Sequence, residues 1–459
     1  MLILKDRNSL RFLILLSFLT ICISCGKDDA PEVEDPPPSS AFGEVELIKT
    51  YGGSGIDEAV SVVEATDGNY MVFGTTRSTD GDIVGRSGSD SDYWLLKISK
   101  EGEIIWSKTY GGSDDEKATR ITKTNDGGYL MSGYTTSSDG DVSGNEGFQD
   151  YWILKVDSAG TILWDENFGF SGSDQAYKAF QTSDGGYFVT GFFDVSASGG
   201  GGNDLHKGEN RGVLHGVGEF WGIKLDASGN KQWRRYFGGS NNDRSYDAVE
   251  TADGGFLMTG TSESVDFDKT DPKGSYDYWA VRLKPNGDLV WTKSYGGNEI
   301  DNSYASIKTN DGNYIMVGDS RSADQDVTSP RGNADAWIIK FDDNGNKIWQ
   351  KSYGGSEFDT AHSIVQRENE DYILSGHSRS NDDDLLTNNG YNDAWIFLID
   401  KDGNLKDQKS IGGSSLDYAS EAIETSDNKI IVVGNSESND KDIPLNKGSK
   451  DVLIIKLKT

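Results

Sequence analysis

Residues 51–75, YGGSGIDEAVSVVEATDGNYMVFGT, decide how this chain is read. They hold a Tyr-Gly-Gly loop, a strand-like run from Ala59 to Ala65, an Asp67-Gly68-Asn69 turn and a second run from Tyr70 to Thr75. Asp-Gly between β-prone runs signals a hairpin, because a tight turn needs positive φ, which Gly adopts without steric cost. The stretch then returns. Tyr51-Gly52-Gly53-Ser54 recurs as Tyr110-Gly111-Gly112-Ser113 and Tyr353-Gly354-Gly355-Ser356, with looser copies beginning at Phe168, Phe237, Tyr295 and Ile411. The intervals are 59, 58, 69, 58, 58 and 58 residues, so only the third unit carries an insertion. The turn recurs as Asp126-Gly127-Gly128, Asp184-Gly185-Gly186, Asp253-Gly254-Gly255 and Asp311-Gly312-Asn313. A fixed period of this kind is the mark of a repeat architecture.

Past the hairpin, a polar loop leads to a third strand, Tyr93 to Ser99, and a short Gly turn to a fourth, Glu103 to Thr109. Four antiparallel strands per unit make the blade of a propeller. The last unit, from Ile411 to Thr459, stops after its third strand, and Glu44 to Thr50 aligns with Glu103 to Thr109. The expectation is an all-β, seven-bladed β-propeller over residues 43–459, closed by the N-terminal strand. Closure removes two exposed strand edges at once. A linear solenoid would instead need polar capping repeats.

All eleven tryptophans fall at two repeat positions. Trp94, Trp152, Trp221, Trp279, Trp337 and Trp395 form one set; Trp106, Trp164, Trp233, Trp291 and Trp349 form the other. Residues present in nearly every blade are expected to pack blades together rather than to stack on sugars. The Tyr-Gly-Gly, Asp-Gly-Gly-Tyr, Gly and Asp-Tyr-Trp landmarks resemble the β-propeller repeats common in secreted and surface proteins of Bacteroidetes. The resemblance covers Gly43 to Thr459. It implies fold and location but not chemistry, because one propeller scaffold hosts binders, enzymes and assembly hubs.

The N-terminus reads as a processing segment. Lys5, Arg7 and Arg11 precede an apolar run from Phe12 to Ile23, short of the ~20 residues of a membrane span. It ends at Ser24-Cys25-Gly26, which resembles a bacterial lipobox, although Cys22 stands where that family usually has Leu. The resemblance implies that residues 1–24 are removed as a signal peptide and that Cys25 is lipidated, palmitate among the chains it carries. Lys27-Asp28-Asp29 resembles a surface-export signal of Bacteroidetes lipoproteins. Residues 25–42, acidic and Pro-rich, cannot bury enough apolar area to fold and are expected to act as a tether. The implied location is the outer membrane, lipid-anchored and facing the cell exterior. Cys22 and Cys25 are the only cysteines, so the propeller has no disulfide, thiol metal site or Cys nucleophile. A net charge of −31, from 75 acidic and 44 basic residues, argues against nucleic acid as a partner.

In a propeller the loops entering the first strand and those between the second and third share one face around the channel mouth, the default ligand site. Two acidic series fall there. Asp57, Glu116, Asp174, Asp243, Asp301, Asp359 and Asp417 lie six positions after each unit start. They suit the acceptance of backbone N–H bonds in a tight loop. The second series is Asp-x-Asp: Asp80 and Asp82, Asp139 and Asp141, Asp266 and Asp268, Asp324 and Asp326, Asp382 and Asp384, Asp440 and Asp442. Alternate carboxylates suit Ca²⁺, which takes about six to eight oxygens, or simply make turns. The third unit departs from this pattern, with Ala197-Ser198-Gly199 and an insertion carrying His206, Lys207, Arg211 and His215. That loop reads as a ligand-contacting flap or as a drifted loop.

The other two of the four histidines, His362 and His377, belong to the sixth unit. His362 occupies a variable position filled elsewhere by Tyr177, Tyr246 and Tyr304, while Arg321 and Arg379 match each other after the second strands. Tyr, His and Arg at one mouth could neutralise a uronate carboxylate and abstract its α-proton, the chemistry of a polysaccharide lyase. The same residues would serve to bind a glycan. No Gly-x-Ser-x-Gly elbow, His-Glu-x-x-His zinc helix, phosphate loop or dinucleotide fingerprint is present. The leading expectation is a non-enzymatic surface lipoprotein whose propeller face binds a glycan or a partner protein in an uptake or adhesion system. The alternatives are a lyase acting on uronate-containing glycans and a structural hub in an envelope assembly. The lipid anchor has a direct check: cells fed labelled palmitate should mark the wild-type chain, and Cys25→Ser should abolish the label while Cys22→Ser leaves it.

Overall fold

In a computed structural model, which describes residues 42–199, 201–204, 215–216 and 218–458, every Asp-Gly hairpin is extended by two further strands. Seven four-stranded antiparallel sheets result, each ordered as in the chain except the last. Blade one runs Asp57–Glu64, Tyr70–Thr76, Asp92–Ile98 and Ile104–Tyr110. Its innermost strand begins two residues earlier than the apolar run that announces it. Asp57 and Glu58 look like loop residues in the sequence, but Asp57 pairs with Thr76 and is fully buried. Cys25, the tether as far as residue 41, His206, Lys207 and Arg211 lie outside the described residues.

The seventh sheet closes the ring. Val45–Tyr51 is hydrogen-bonded to Asp451–Lys458, outside Lys429–Ser436 and Asp417–Glu424. Ile48 faces Ile455 and Thr50 faces Leu453 in the antiparallel register. Phe42, 2% exposed, sits in the core between blades six and seven. The junction of blades seven and one also carries the short parallel bridge found at other junctions: Ile56 to Lys450, as Tyr276 to Ile300 and Asn392 to Leu416. The closing junction is therefore stitched like its neighbours.

Adjacent blades share the core. The first tryptophan set is fully buried, and four of the six meet a ring of the preceding blade, as in Tyr93 with Trp152 at 4.5 Å and Tyr278 with Trp337 at 4.6 Å. The second set is half-buried apart from the buried Trp233, and it reaches toward the next blade, Trp291 donating to the Asp343 carbonyl at 3.0 Å. Both sets pack blades together. The repeated Tyr of Tyr-Gly-Gly is a clasp: the hydroxyls of Tyr51, Tyr110, Tyr295 and Tyr353 donate to the carbonyls of Gly102, Gly160, Gly345 and Gly403 in the next blade. Where Phe237 lacks the hydroxyl, Arg235 donates to the equivalent carbonyl of Gly287 at 2.9 Å.

One irregularity recurs in every innermost strand. The pairing slips by one residue at Val60, Thr119, Tyr177, Tyr246, Tyr304, His362 and Ser420, a β-bulge at the same place in all seven blades. Opposite it the second strand carries the repeated Gly: Gly74, Gly133, Gly191, Gly260, Gly318, Gly376 and Gly434. A Cβ on Gly376 would lie 1.9 Å from the Thr360 carbonyl oxygen, and the other six meet the matching carbonyl at 1.7–2.0 Å. The absent side chain is what lets the bulged carbonyl approach. Gly376→Ala should lower the unfolding free energy by about 1–3 kcal/mol, the usual cost of overpacking. Gly144→Ala, where nothing lies within 4 Å of the added carbon, should leave it unchanged. Urea titration of the two variants checks this.

Candidate functional site

A bulge sets two successive side chains toward the same side of a strand. Here that side is the propeller axis. The bulged residues Val60, Thr119, Tyr177, Tyr246, Tyr304, His362 and Ser420 all line one axial cavity of about 400 Å³, with Arg120, His377, Tyr418 and Asn435. The five aromatic or imidazole rings of blades three to six, together with Tyr418 of blade seven, form a continuous arc. Centroids are 4.8 Å apart for Tyr177–Tyr246, 5.8 Å for Tyr246–Tyr304, 4.7 Å for Tyr304–His362, 5.3 Å for His362–His377 and 4.7 Å for His377–Tyr418. Blades one and two contribute only Val60, Thr119 and Arg120 to the wall. The cavity is thus aromatic on one side and small on the other.

In four blades the residue after the bulge carries a charge: Arg120, Lys178, Asp247 and Glu421. Arg120 of blade two ion-pairs with Glu421 of blade seven and lies 4.0 Å from Asp247 of blade four, which takes Lys178 of blade three at 2.5 Å. Glu421 also accepts from Ser61 Oγ at 2.6 Å and from the Val62 amide at 2.8 Å. Two cations and two anions from four blades therefore balance across the axis. The network leaves the cavity floor without a spare charge.

Burial pushes His362 down to about 4, so its imidazole is neutral at pH 7 and a weak base. His377 is held well below its ordinary value, first by burial and then by His362 and Arg379. The Tyr304 phenol is pushed up by burial and by Asp319, whose own carboxyl burial raises to about 6. Of the residues singled out in the sequence, Tyr177, Tyr246, Tyr304, His362 and His377 come together on this wall. Arg321 and Arg379 do not line it. They are exposed at the rim, Arg379 donating to Asn392 Oδ1 at 2.7 Å with its guanidinium 5.8 Å over Phe358. Arg120, Asp319, Tyr418 and Asn435 belong to the site and were not foreseen. Their signal was the repeat register, in which they match positions that carry unlike residues in other blades.

His215 is buried, stacked on Phe267 at 4.6 Å, with Nδ1 3.4 Å from Glu219 Oε2. It packs a loop against blade four and faces away from solvent. The Asp-x-Asp pairs clasp loops. Asp80 Oδ1 accepts from the Ser54 amide at 2.7 Å and Asp82 Oδ2 from Gly52 at 3.0 Å. Asp139 and Asp141, Asp266 and Asp268, Asp324 and Asp326, Asp382 and Asp384, and Asp440 and Asp442 repeat the arrangement. Among the described residues no cluster of three or more His, Cys, Asp or Glu side chains offers a metal ion a coordination shell. The first acidic series accepts loop amides as expected, Asp57 from Gly53 at 2.8 Å and Asp359 from Gly355 at 2.8 Å.

No protein-family model matches the chain. The regulatory protein FlaEY of Caulobacter vibrioides is 23% identical over 272 residues, which span 54% of this chain and 28% of that protein. The chain thus matches little more than a quarter of that relative's length. Among solved structures, the Pan2 WD40 domain of Neurospora crassa has a TM-score of 0.48 at 9% identity, covering 86% of this chain and 88% of that one. Sqt1 of Chaetomium thermophilum has a TM-score of 0.47 at 10% identity over 90% and 99%. YCF48 bound to D1 peptide has 0.43 at 9% identity over 92% and 100%.

Behind each Tyr-Gly-Gly loop a second buried acid from the neighbouring blade faces the first. A Cβ on Gly52 would lie 2.6 Å from Asp451 Oδ1 and 2.7 Å from Asp57 Oδ2. Burial raises Asp92, Asp150, Asp335, Asp393 and Asp451 to about 6, and Glu116 and Asp174 to about 7. A folded-state pKa above the unfolded value means that the native chain holds the extra protons. Stability from these acids is complete below the unfolded carboxylate range and is lost as pH rises through 6 to 7. His362 and His377 act oppositely but are outnumbered. The thermal midpoint should therefore be higher at pH 5.5 than at pH 8, read by calorimetry in one ionic strength.

Proposed function

We propose that this propeller is a binding module, not a hydrolase or lyase, and that its axial mouth receives part of a glycan. The observation that carries the reading is the arc from Tyr177 to Tyr418, continuous across five blades and confined to one side of the cavity. A packing role repeats in every blade, as the tryptophans do. This arc does not, and the bulge position that supplies four of its rings holds Val60, Thr119 and Ser420 in the other blades. Rings with hydroxyl and imidazole tips supply apolar bodies and hydrogen-bonding edges together, the pairing that a sugar ring presents in return. A 400 Å³ cavity is of the size that holds a small ligand or the end of a chain.

Binding is favoured over cleavage by the protonation states. A lyase needs a base poised near the working pH. His362 at about 4 is too weak a base, and the Tyr304 phenol is pushed away from ionisation. The lipoprotein signal read in the N-terminal residues supports placing the module on a lipid anchor at the outer membrane, facing outward, where a glycan or an envelope partner would be met.

Glycan-array and calorimetric binding by the mature chain tests the reading. Tyr246→Ala and His362→Ala, both at bulge positions on the cavity wall, should each weaken binding about tenfold or more while the fold is retained by circular dichroism. Binding unaltered in both variants would move the site off the axis. Incubation with acidic polysaccharides should produce no ultraviolet absorbance from an unsaturated uronate; a rise would restore the lyase alternative.

A further inference from the structure

Several cations on the mouth face are held by acids: Arg77 pairs with Asp115 at 2.9 Å, Lys117 with Glu58, Lys450 with Glu58 at 3.2 Å and Glu437 at 3.5 Å, and Arg331 of blade five with Asp384. Arg244, Arg321 and Arg379 of blades four, five and six are exposed, and among the described residues none of the three makes an ion pair. In a chain with 75 acidic residues against 44 basic ones, three consecutive blades each carry such an arginine on one rim.

Their position is specific. Arg244 begins the approach to the bulge at Tyr246, and its charge reaches Tyr177 and Tyr276. Arg321 acts on Tyr304 and on the buried Asp319, and Arg379 acts on His377. Two of the guanidinium groups are held over rings, Arg244 at 5.1 Å from Phe192 and Arg379 at 5.8 Å from Phe358. Stacking of this kind limits where the fork of N–H donors can point, which suits bidentate contact with a planar anion. The three arginines belong to blades that supply the aromatic part of the cavity wall.

Resting on the glycan reading above, we propose that the ligand is an acidic glycan whose carboxylate or sulfate groups seat against Arg244, Arg321 and Arg379 while a neutral part of the sugar enters the arc. The charge balance inside the cavity fits this division. Arg120 is already matched by Glu421 and Asp247, so an anion finds its free partners at the rim and not at the floor. The overall negative charge does not forbid it, because fields fade over about 8 Å at physiological ionic strength and the rim arginines act within that range.

Calorimetry with the mature chain decides it, using oligosaccharides from pectate, alginate and chondroitin sulfate, their carboxyl-reduced or desulfated counterparts, neutral glucans and polyglutamate. At least one acidic oligosaccharide should bind about tenfold or more tightly than its neutralised counterpart. Its affinity should fall as salt rises from about 0.05 M to about 0.5 M. Arg244→Gln and Arg379→Gln should each cost about five- to tenfold, with unchanged thermal midpoints, and Arg77→Gln should cost nothing. Equal binding of acidic and neutralised forms, insensitive to salt, would overturn the acidic class and leave the glycan reading standing. Binding of polyglutamate as tight as that of the sugars would make the partner an acidic protein, overturning the glycan class and keeping the rim. No binding to any sugar would sink both.

Discussion

The molecule depends on one hydrogen-bond ladder, that between Val45–Tyr51 and Asp451–Lys458. Every other blade is contiguous in the chain and is held by local hairpins; only the seventh joins residues some four hundred positions apart. A ring has no edge, and each blade presses its apolar faces on two neighbours. Unzip that ladder and blades one and seven each lose the neighbour that covers them. The mouth, the cavity and the rim are properties of the closed circle, since each is lined by residues from several blades at one radius.

Within the circle, a second constraint makes the site. The repeated Gly of the second strand lets the carbonyl of the first strand lie against a bare Cα, and the bulge that follows turns two side chains toward the axis. The bulge supplies seven equivalent inward positions. What stands at each one is free to differ, because it packs against solvent or its fellow axial residues and not against the shared core. Blades three to six use that freedom for rings, and in four blades the next position along is used for a balanced network of Arg120, Glu421, Asp247 and Lys178. The scaffold repeats and the chemistry does not.

The acids illustrate the opposite case. Seven buried carboxylates accept amides in the Tyr-Gly-Gly loops, and six Asp-x-Asp pairs clasp the same loops from the side. The middle residue of each pair has positive φ, from 67° at Gly81 to 52° at Phe267, which carries both carboxylates onto one loop. In the sequence both series suit loop formation first, and the Asp-x-Asp pairs also suit Ca²⁺. In the fold each of these acids accepts a backbone N–H of its loop.

The repeat, the strand that closes the ring and the packing role of the tryptophans were legible before any coordinates, because each follows from a local pattern copied many times. Tyr51, Gly52, Asp67 and Gly68 announce themselves by recurrence. The candidate site was half legible: His362, Tyr177, Tyr246 and Tyr304 could be seen to share a position, but not that the position is a bulge. Arg120 and Tyr418 showed only as departures from the repeat, since nothing in one strand says which residues of six other strands will face it. The sequence alone determined the unit and the number of its copies, through periodicity of turns and apolar runs. Only the tertiary structure decided which unlike residues meet at the axis and which arginines find acids, because those contacts are set by the angle between blades and by no spacing along the chain.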